Sequence, residues 1–327
     1  MSLKAFVTGA TGFLGFNLVL ELLDRDWIVT ALHRRGSDTS RLEALEGVSL
    51  VEGSLENQRS LEKAIPRNTD ALFHVAGDTS LWRGHRQRQV RTNVDGTSHI
   101  TRAALARGVG RFIHTSSIAA YGLHEGRVRE TTFSNALASG IDYMITKYRA
   151  EQIVAFAWEQ GLDAVTLQPA HIVGPWDDNG WSRTFRLVLE EKLPGIPPGR
   201  GSWCHVREVA RCHVEAFHRG KGGEKYLLGG PSATFVEVFR IIGELTGKPV
   251  PSKPVPAIAL KAWAGMLDLA SRFTGREPSV TPAAVAIVSA NETCDATRAR
   301  EELGYREIPV RTMFEDCWNW MKESGTR

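Results

Sequence analysis

Thr8-Gly9-Ala10-Thr11-Gly12-Phe13-Leu14-Gly15 follows an apolar, strand-like run and opens an amphipathic segment that reads as a helix. Each of its glycines answers a steric demand. Gly9 permits a tight turn, Gly12 lets backbone approach a phosphate with no Cβ in the way, and Gly15 lets the helix pack closely on the strand. The backbone at Thr11, Phe13 and Leu14 then offers N–H groups, and the helix its partial positive charge, to a pyrophosphate. A glycine triplet alone is a weak signal. Its place after a strand and before a helix is the context that marks a dinucleotide site rather than a structural turn.

Outward from this turn, the first half of the chain alternates strand and helix. Strands are predicted at Leu3–Thr8, Trp27–His33, Val48–Glu52, Ala71–Ala76, Arg111–Thr115 and Ala164–Gln168, several of them apolar nearly throughout. Helices are predicted at Phe13–Asp24, Leu61–Ile65, Val90–Ala106 and Asp142–Gln160, with Gly108 and Gly161 placed for left-handed caps. Such alternation implies an α/β protein with a Rossmann-type, doubly wound parallel sheet. Residues 1–169 are predicted to form this nucleotide-binding domain. Residues 170–327 read as a smaller, helix-rich C-terminal substrate lobe, with segments that return to the core. There the helices are expected at Val206–His218, Phe235–Leu245, Ile258–Phe273 and Arg311–Lys322, with one short strand at Lys225–Leu228. The apolar Ile258–Phe273 segment reads as a buried helix, with a membrane-surface contact as the alternative.

Composition narrows the class. The 327 residues are 42% hydrophobic and 24% charged, with a net charge of +3, which does not mark a nucleic-acid partner. The cluster Arg83, His85, Arg86, Arg88 and Arg91 reads as a solvated helix face. No run approaches the ~18 apolar residues of a membrane span, and the start of the chain lacks a secretory signal pattern. Cys204, Cys212, Cys294 and Cys317 show no metal-ligand spacing and read as reduced thiols, so a cytoplasmic location and no metal are expected.

The end of the second strand bears on which dinucleotide fits. An NAD site commonly carries an acid there, for the ribose 2′-hydroxyl. This chain has His33-Arg34-Arg35-Gly36-Ser37, with Arg41 a turn later, and guanidinium groups suit a 2′-phosphate. NADP(H) is therefore the predicted cofactor and NAD(H) the alternative. Tyr143 and Lys147 stand four apart, hence on one helix face. An ammonium near the phenol is expected to lower its pKa from about 10 toward a useful range. Ser117 follows a predicted strand, where its hydroxyl can meet a substrate carbonyl.

Together these pieces resemble the extended short-chain dehydrogenase/reductase family. The matching runs are Thr8–Gly15, Asp70–Gly77, Asn93–Thr97, Thr115–Ser117, Tyr143–Lys147 and Gln168–Trp176, in the family's order and spacing. Within it, Thr115–Ala120 and Gln168–Trp176 most resemble the dihydroflavonol-reductase-like branch of the epimerase/dehydratase group. The resemblance implies an oxidoreductase in which Tyr143 is the proton donor or acceptor, Lys147 its partner and a ribose ligand, and Ser117 the carbonyl hydrogen-bond donor. It also implies that Val75, Ala76 and Gly77 line the cofactor, that Pro169 and Ile172 border the nicotinamide, and that Ser54 and Leu55 lie near the adenine. Asn93 would anchor the local backbone or a water. The family's usual Asp after strand three is Ser54 here, and the Asn with which plant flavonoid reductases contact their substrate is replaced by Gly122. That second departure argues against a dihydroflavonol.

The implied activity is NADPH-dependent reduction of a ketone or aldehyde, or oxidation of the alcohol. The alternatives are a nucleotide-sugar epimerase or dehydratase with bound NAD, and a dinucleotide-sensing regulator. Trp176, Trp181, Phe185 and Trp203 point either to an apolar or aromatic small-molecule substrate or to core packing. A homodimer through the Val90–Ala106 and Asp142–Gln160 helices is what the resemblance implies.

Overall fold

The computed structural model describes residues 2–325. Its first half runs β1 (Lys4–Thr8), α1 (Phe13–Asp24), β2 (Ile28–His33), α2 (Ser40–Glu43), β3 (Val48–Glu52), α3 (Gln58–Ala64) and β4 (Ala71–His74). Then come α4 (Arg86–Gln89), α5 (Gly96–Arg107), β5 (Arg111–Thr115), β6 (Gly126–Val128), α6 (Asp142–Glu159) and β7 (Ala164–Pro169). The second half runs β8 (His171–Val173), α7 (Trp181–Leu189), β9 (Arg200–His205), α8 (Val206–Arg219), β10 (Lys225–Leu228), β11 (Ser232–Thr234) and α9 (Phe235–Thr246). It closes with α10 (Ala257–Thr274), α11 (Pro282–Ser289), β12 (Glu292–Cys294), α12 (Thr297–Leu303) and α13 (Val310–Glu323).

Seven strands form one parallel sheet in the order β10-β7-β5-β4-β1-β2-β3. Strand alternation divides its residues between two cores. Ala5 and Val7 join Leu18, Leu22 and Val209 beneath α1 and α8, while Phe6 joins Leu72, Phe112 and Ile100 beneath α3, α5 and α6. Because both faces are covered, β4 is buried at every position. The strand order reverses between β1 and β4, which opens a crevice beyond their C-terminal ends. Gly9 and Val75–Gly77 stand at that crevice.

Elsewhere β9 pairs with β8 and β11, and β12 with β6. Around them lies an aromatic core in which Phe185 and Trp203 are fully buried and Trp181 packs 4.6 Å from the Trp203 ring. Trp176 joins this core beside Trp320. These aromatics are therefore packing residues, and the reading of them as a substrate surface is set aside. Two further differences are physical. The segment expected as one helix from Val90 begins with a π turn over Val90–Asp95, where Asn93 turns toward Asp78 and Thr146. The helix expected to be buried, α10, buries only Leu260, Ala264 and Ser271, and leaves Ile258 and Phe273 83% and 85% exposed.

Three buried histidines lie along the sheet. His74 and His114 stack 5.5 Å apart, and His213 on α8 meets the Thr115 hydroxyl at 2.7 Å. Burial pushes His74 down to about 3, His213 to about 4, and His114 well below its ordinary value. Below an ordinary value of about 6.5 the unfolded chain thus binds protons that the folded chain refuses, so stability falls with pH. Each histidine adds up to about 1.4 kcal/mol per pH unit in that window. Chemical denaturation between about pH 7 and 5 is expected to give a falling midpoint. His114, whose two ring nitrogens have no hydrogen-bond partner, provides a control. His114→Leu should flatten the slope and hold or raise stability at neutral pH by about 1 kcal/mol; a midpoint unchanged with pH would contradict this account.

Candidate active site

The glycine turn is built by close backbone contact. Gly9 has φ +75°, and a Cβ there would stand 2.6 Å from the Ala76 nitrogen. At Gly15 a Cβ would fall 2.0 Å from the Gly9 carbonyl oxygen, so α1 rests directly on the turn. Gly12 differs: its only near neighbour would be the Gly9 oxygen at 3.3 Å, and the rest of that side is open. No side chain caps α1 and no acid sits in its first turn, which leaves the N–H groups of Phe13 and Leu14 and the positive helix end for an anion. Thr11 is exposed at the rim and Leu14 is buried. This cradle, which a Cβ at position 12 would fill, fits a dinucleotide pyrophosphate.

One strand further out, Arg34 and Arg35 are exposed after β2. Arg41 is engaged otherwise: both of its terminal nitrogens bond the Asp178 carboxylate at 2.8 and 3.0 Å, and its guanidinium lies over the Trp176 ring. The structure thus brings Arg34 and Arg35 to the β2 edge, and gives Arg41 a bond across to the second half. Ser54 begins the turn after β3, its hydroxyl accepting from the Glu56 nitrogen at 3.2 Å, and Leu55 packs against Gly96.

On the inner side of the crevice, the Ala76 nitrogen donates to the Thr8 hydroxyl at 3.3 Å. A Cβ on Gly77 would lie 3.3 Å from the Lys147 nitrogen, so the loop after β4 runs against α6. Asn93 fastens this loop by accepting from the Asp78 nitrogen at 2.7 Å and donating to its carbonyl and to Thr146. Lys147 is buried and donates to the Thr115 carbonyl at 2.9 Å. Burial pushes its ammonium down to about 8, against the pull of the Glu151 carboxylate one turn away. Glu151 is itself buried, accepting from Ser116, from Gln168 at 2.7 Å and from Lys225 at 2.7 Å.

Ser117 lies two residues past β5, its hydroxyl accepting from the Ala119 nitrogen at 3.2 Å, donating to the Pro169 carbonyl at 3.5 Å and lying within hydrogen-bond reach of Tyr143. Burial raises the Tyr143 phenol above its ordinary value, and the Ser117 hydroxyl pulls the other way. Burial thus outweighs the lowering expected from Lys147, whose ammonium bonds the Thr115 carbonyl. Pro169 lies buried at the end of β7 and Ile172 half-buried on β8.

A cavity of about 250 Å³ adjoins Tyr143. Its walls are largely apolar, with Leu81 and Trp82 from the loop after β4, Leu123, Ile141, and Ala283 and Ala286 of α11. The charged side chains on it are Arg83, Asp142 and Asp268. Sequence reading missed this wall, since its pieces lie far apart in the chain and follow no motif. At Gly122, φ is +88° and a Cβ would strike the Asn135 amide oxygen. Asn135 fills that place by bonding both backbone groups of Leu123.

With this geometry in view, the match to the NAD dependent epimerase/dehydratase family spans residues 5–229. The chain belongs to that family. Sterol demethylase protein B of Methylococcus capsulatus is 33% identical over 99% of both chains. A 4-hydroxy-2-methyl-3-oxo-4-farnesyl-3,4-dihydroquinoline-1-oxide ketoreductase of Stigmatella aurantiaca is 30% identical over 93% of this chain and 92% of its own. The crystal structure of gox2253 superposes with a TM-score of 0.84 at 31% identity, covering 99% of each chain. This epimerase/dehydratase-family oxidoreductase thus carries the fold of a family that binds nicotinamide dinucleotides.

The glycines give a paired test. Gly15→Ala should push α1 off the turn and destabilise the fold by about 1–3 kcal/mol. Gly12→Ala should leave the melting temperature nearly unchanged yet weaken nucleotide binding, because its Cβ would occupy the cradle. Thermal melting beside calorimetric titration with NADPH separates the two, and equal nucleotide affinity in Gly12→Ala would refute the assignment.

Proposed function

We propose that the protein reduces a ketone on an apolar, ring-containing substrate with NADPH, or runs the reverse oxidation. The observation that carries this reading is the apolar cavity opening onto Tyr143. When bound, the nicotinamide supplies the hydride to the carbonyl carbon. Tyr143 gives its hydroxyl proton to the carbonyl oxygen, and Ser117 donates a hydrogen bond to the same oxygen. Burial keeps the phenol protonated, which suits a proton donor. Lys147, whose ammonium lies beside Gly77, would meet a ribose hydroxyl and supply the site's positive charge. The relatives named for a sterol and for a farnesylated dihydroquinoline support an apolar substrate. A nucleotide sugar suits the cavity less well, for the walls are largely apolar and offer its diphosphate one lining cation, Arg83, beside two carboxylates already paired with Arg86 and Arg272.

NADPH preference rests on Arg34 and Arg35 and on the lack of an acid at the end of β2. One charge-assisted phosphate contact contributes about 1.5–3 kcal/mol, hence an expected ten- to hundred-fold preference over NADH. Arg34→Asp should narrow it; calorimetry giving NADH the higher affinity would overturn the assignment.

For the chemistry, Tyr143→Phe should retain fold and cofactor binding but lose about 10²–10⁴-fold in turnover. Lys147→Met should weaken NADPH binding as well, and Ser117→Ala should fall between. Since the ammonium form of Lys147 is the active one and its pKa is pushed down to about 8, reduction should hold steady at lower pH and decline above that value. Steady-state rates with a panel of apolar cyclic ketones test both points. A Tyr143→Phe enzyme near wild-type turnover would sink the mechanism.

A further inference from the structure

Helix α10 is apolar on two sides. Its inner side packs Leu260 and Ala264 against Val285 of α11, with Val255 and Val280 at the margin. Successive helical residues turn by about 100°, which gathers Ile258, Ala262, Gly265, Met266, Leu269 and Phe273 on the opposite side. All six are exposed, with Met266 at 65% and Leu269 at 56%. A stripe of this length facing water calls for a covering surface.

We propose that this outer face of α10 docks on an anionic lipid surface. Charge selects that occupant. Lys261 and Arg272 border the stripe along one flank, and exposed Lys253 and Arg276 lie just beyond its two ends. Of these, Arg272 is bonded to Asp268 at 3.0 Å. The nearby acids are that Asp268, half-buried on the cavity wall, and Glu277, which faces His85 at 3.9 Å. A second copy packed about a two-fold axis would set these basic flanks against themselves. Lipid phosphates complement them, and the apolar stripe sinks among the upper acyl chains. No helix among the described residues is long and apolar enough to cross a membrane, so α10 lies on the surface. Docking there would bring an apolar substrate close to the cavity wall to which α10 contributes Asp268; that consequence, unlike the docking, rests on the reductase reading.

The experiment is co-sedimentation of the full chain with vesicles of phosphatidylcholine alone, or with about a third phosphatidylglycerol. It needs neither nucleotide nor substrate, so it stands or falls apart from the reductase reading. Binding to the anionic vesicles, weakened by salt and by Lys253→Glu, Lys261→Glu and Arg276→Glu together, is the expected result, with about fivefold lost per cation. Ile258→Ser, Leu269→Ser and Phe273→Ser together should abolish binding at an unchanged melting temperature, since all three side chains are exposed. Should that variant unfold, the charge variant still decides the matter. Absence of binding at low salt would overturn the proposal, as would equal binding by the charge variant. So would light scattering that shows a dimer which the serine variant alone breaks.

Discussion

The Gly9 carbonyl oxygen occupies the place where any side chain at position 15 would begin. That contact holds α1 against the end of β1, and the rest of the crevice is registered from it. Gly9 in turn leaves no room for a Cβ beside Ala76, so the ends of β1 and β4 are locked together where the strand order reverses. Thr8 and His74 continue the lock. The Thr8 hydroxyl accepts from Ala76 and donates to His74 Nδ1, which leaves Nε2–H to donate to Thr97, whose own hydroxyl donates to the Asn93 carbonyl. This tautomer is the one in which every hydrogen along the chain has an acceptor. Through Asn93 and Thr146 the network reaches the Tyr143 carbonyl, so the glycine turn and α6 are set by one continuous series of bonds.

A buried ammonium is the costly element in this arrangement. Desolvation disfavours the charge on Lys147, and the Thr115 carbonyl and the Glu151 carboxylate offset part of that cost. Glu151 can serve because its own burial is compensated by Ser116, Gln168 and Lys225. Tyr121 extends the set by donating to Gln168 at 3.0 Å. The residues beneath Ser117 and Lys147 thus act as one polar layer between β5, α6 and β10, and β10 is the strand that the second half of the chain returns to the main sheet.

What could be read from the residues alone was whatever local sterics or period dictate. The glycine turn, the strands β3 and β5, and the four-residue spacing of Tyr143 and Lys147 needed no distant partner, and all appear where expected. The π turn at Asn93 was hidden because its cause is a side chain bonded across to Asp78 and Thr146. Strand β9 was hidden as well: Arg200, Gly201 and Ser202 look like a loop until β8 and β11 pair on either side. Arg41 read as a phosphate ligand because Asp178, its partner, lies 137 residues away. For Tyr143 the expectation about charge failed through burial, which a spacing does not convey.

The cavity wall was the least legible part for a further reason. Its segments, the loop after β4, the turn before α6 and the α10–α11 pair, belong neither to the sheet cores nor to the aromatic core of the second half. They meet in small clusters of their own, in which Met144 and Ile141 pack with Ala283, and Leu260 with Val285. The first of these clusters includes Tyr143 and Met144 of α6, whereas the second lies wholly on the α10–α11 side. The bonded network and the cavity wall thus meet at Tyr143 and at the loop after β4, while α10 and α11 bring the rest of the wall from outside that network. Wall segments from α10 and α11 can vary while the turn and the buried polar layer stay as they are, which is why the residues announce an oxidoreductase fold far more plainly than they announce a substrate.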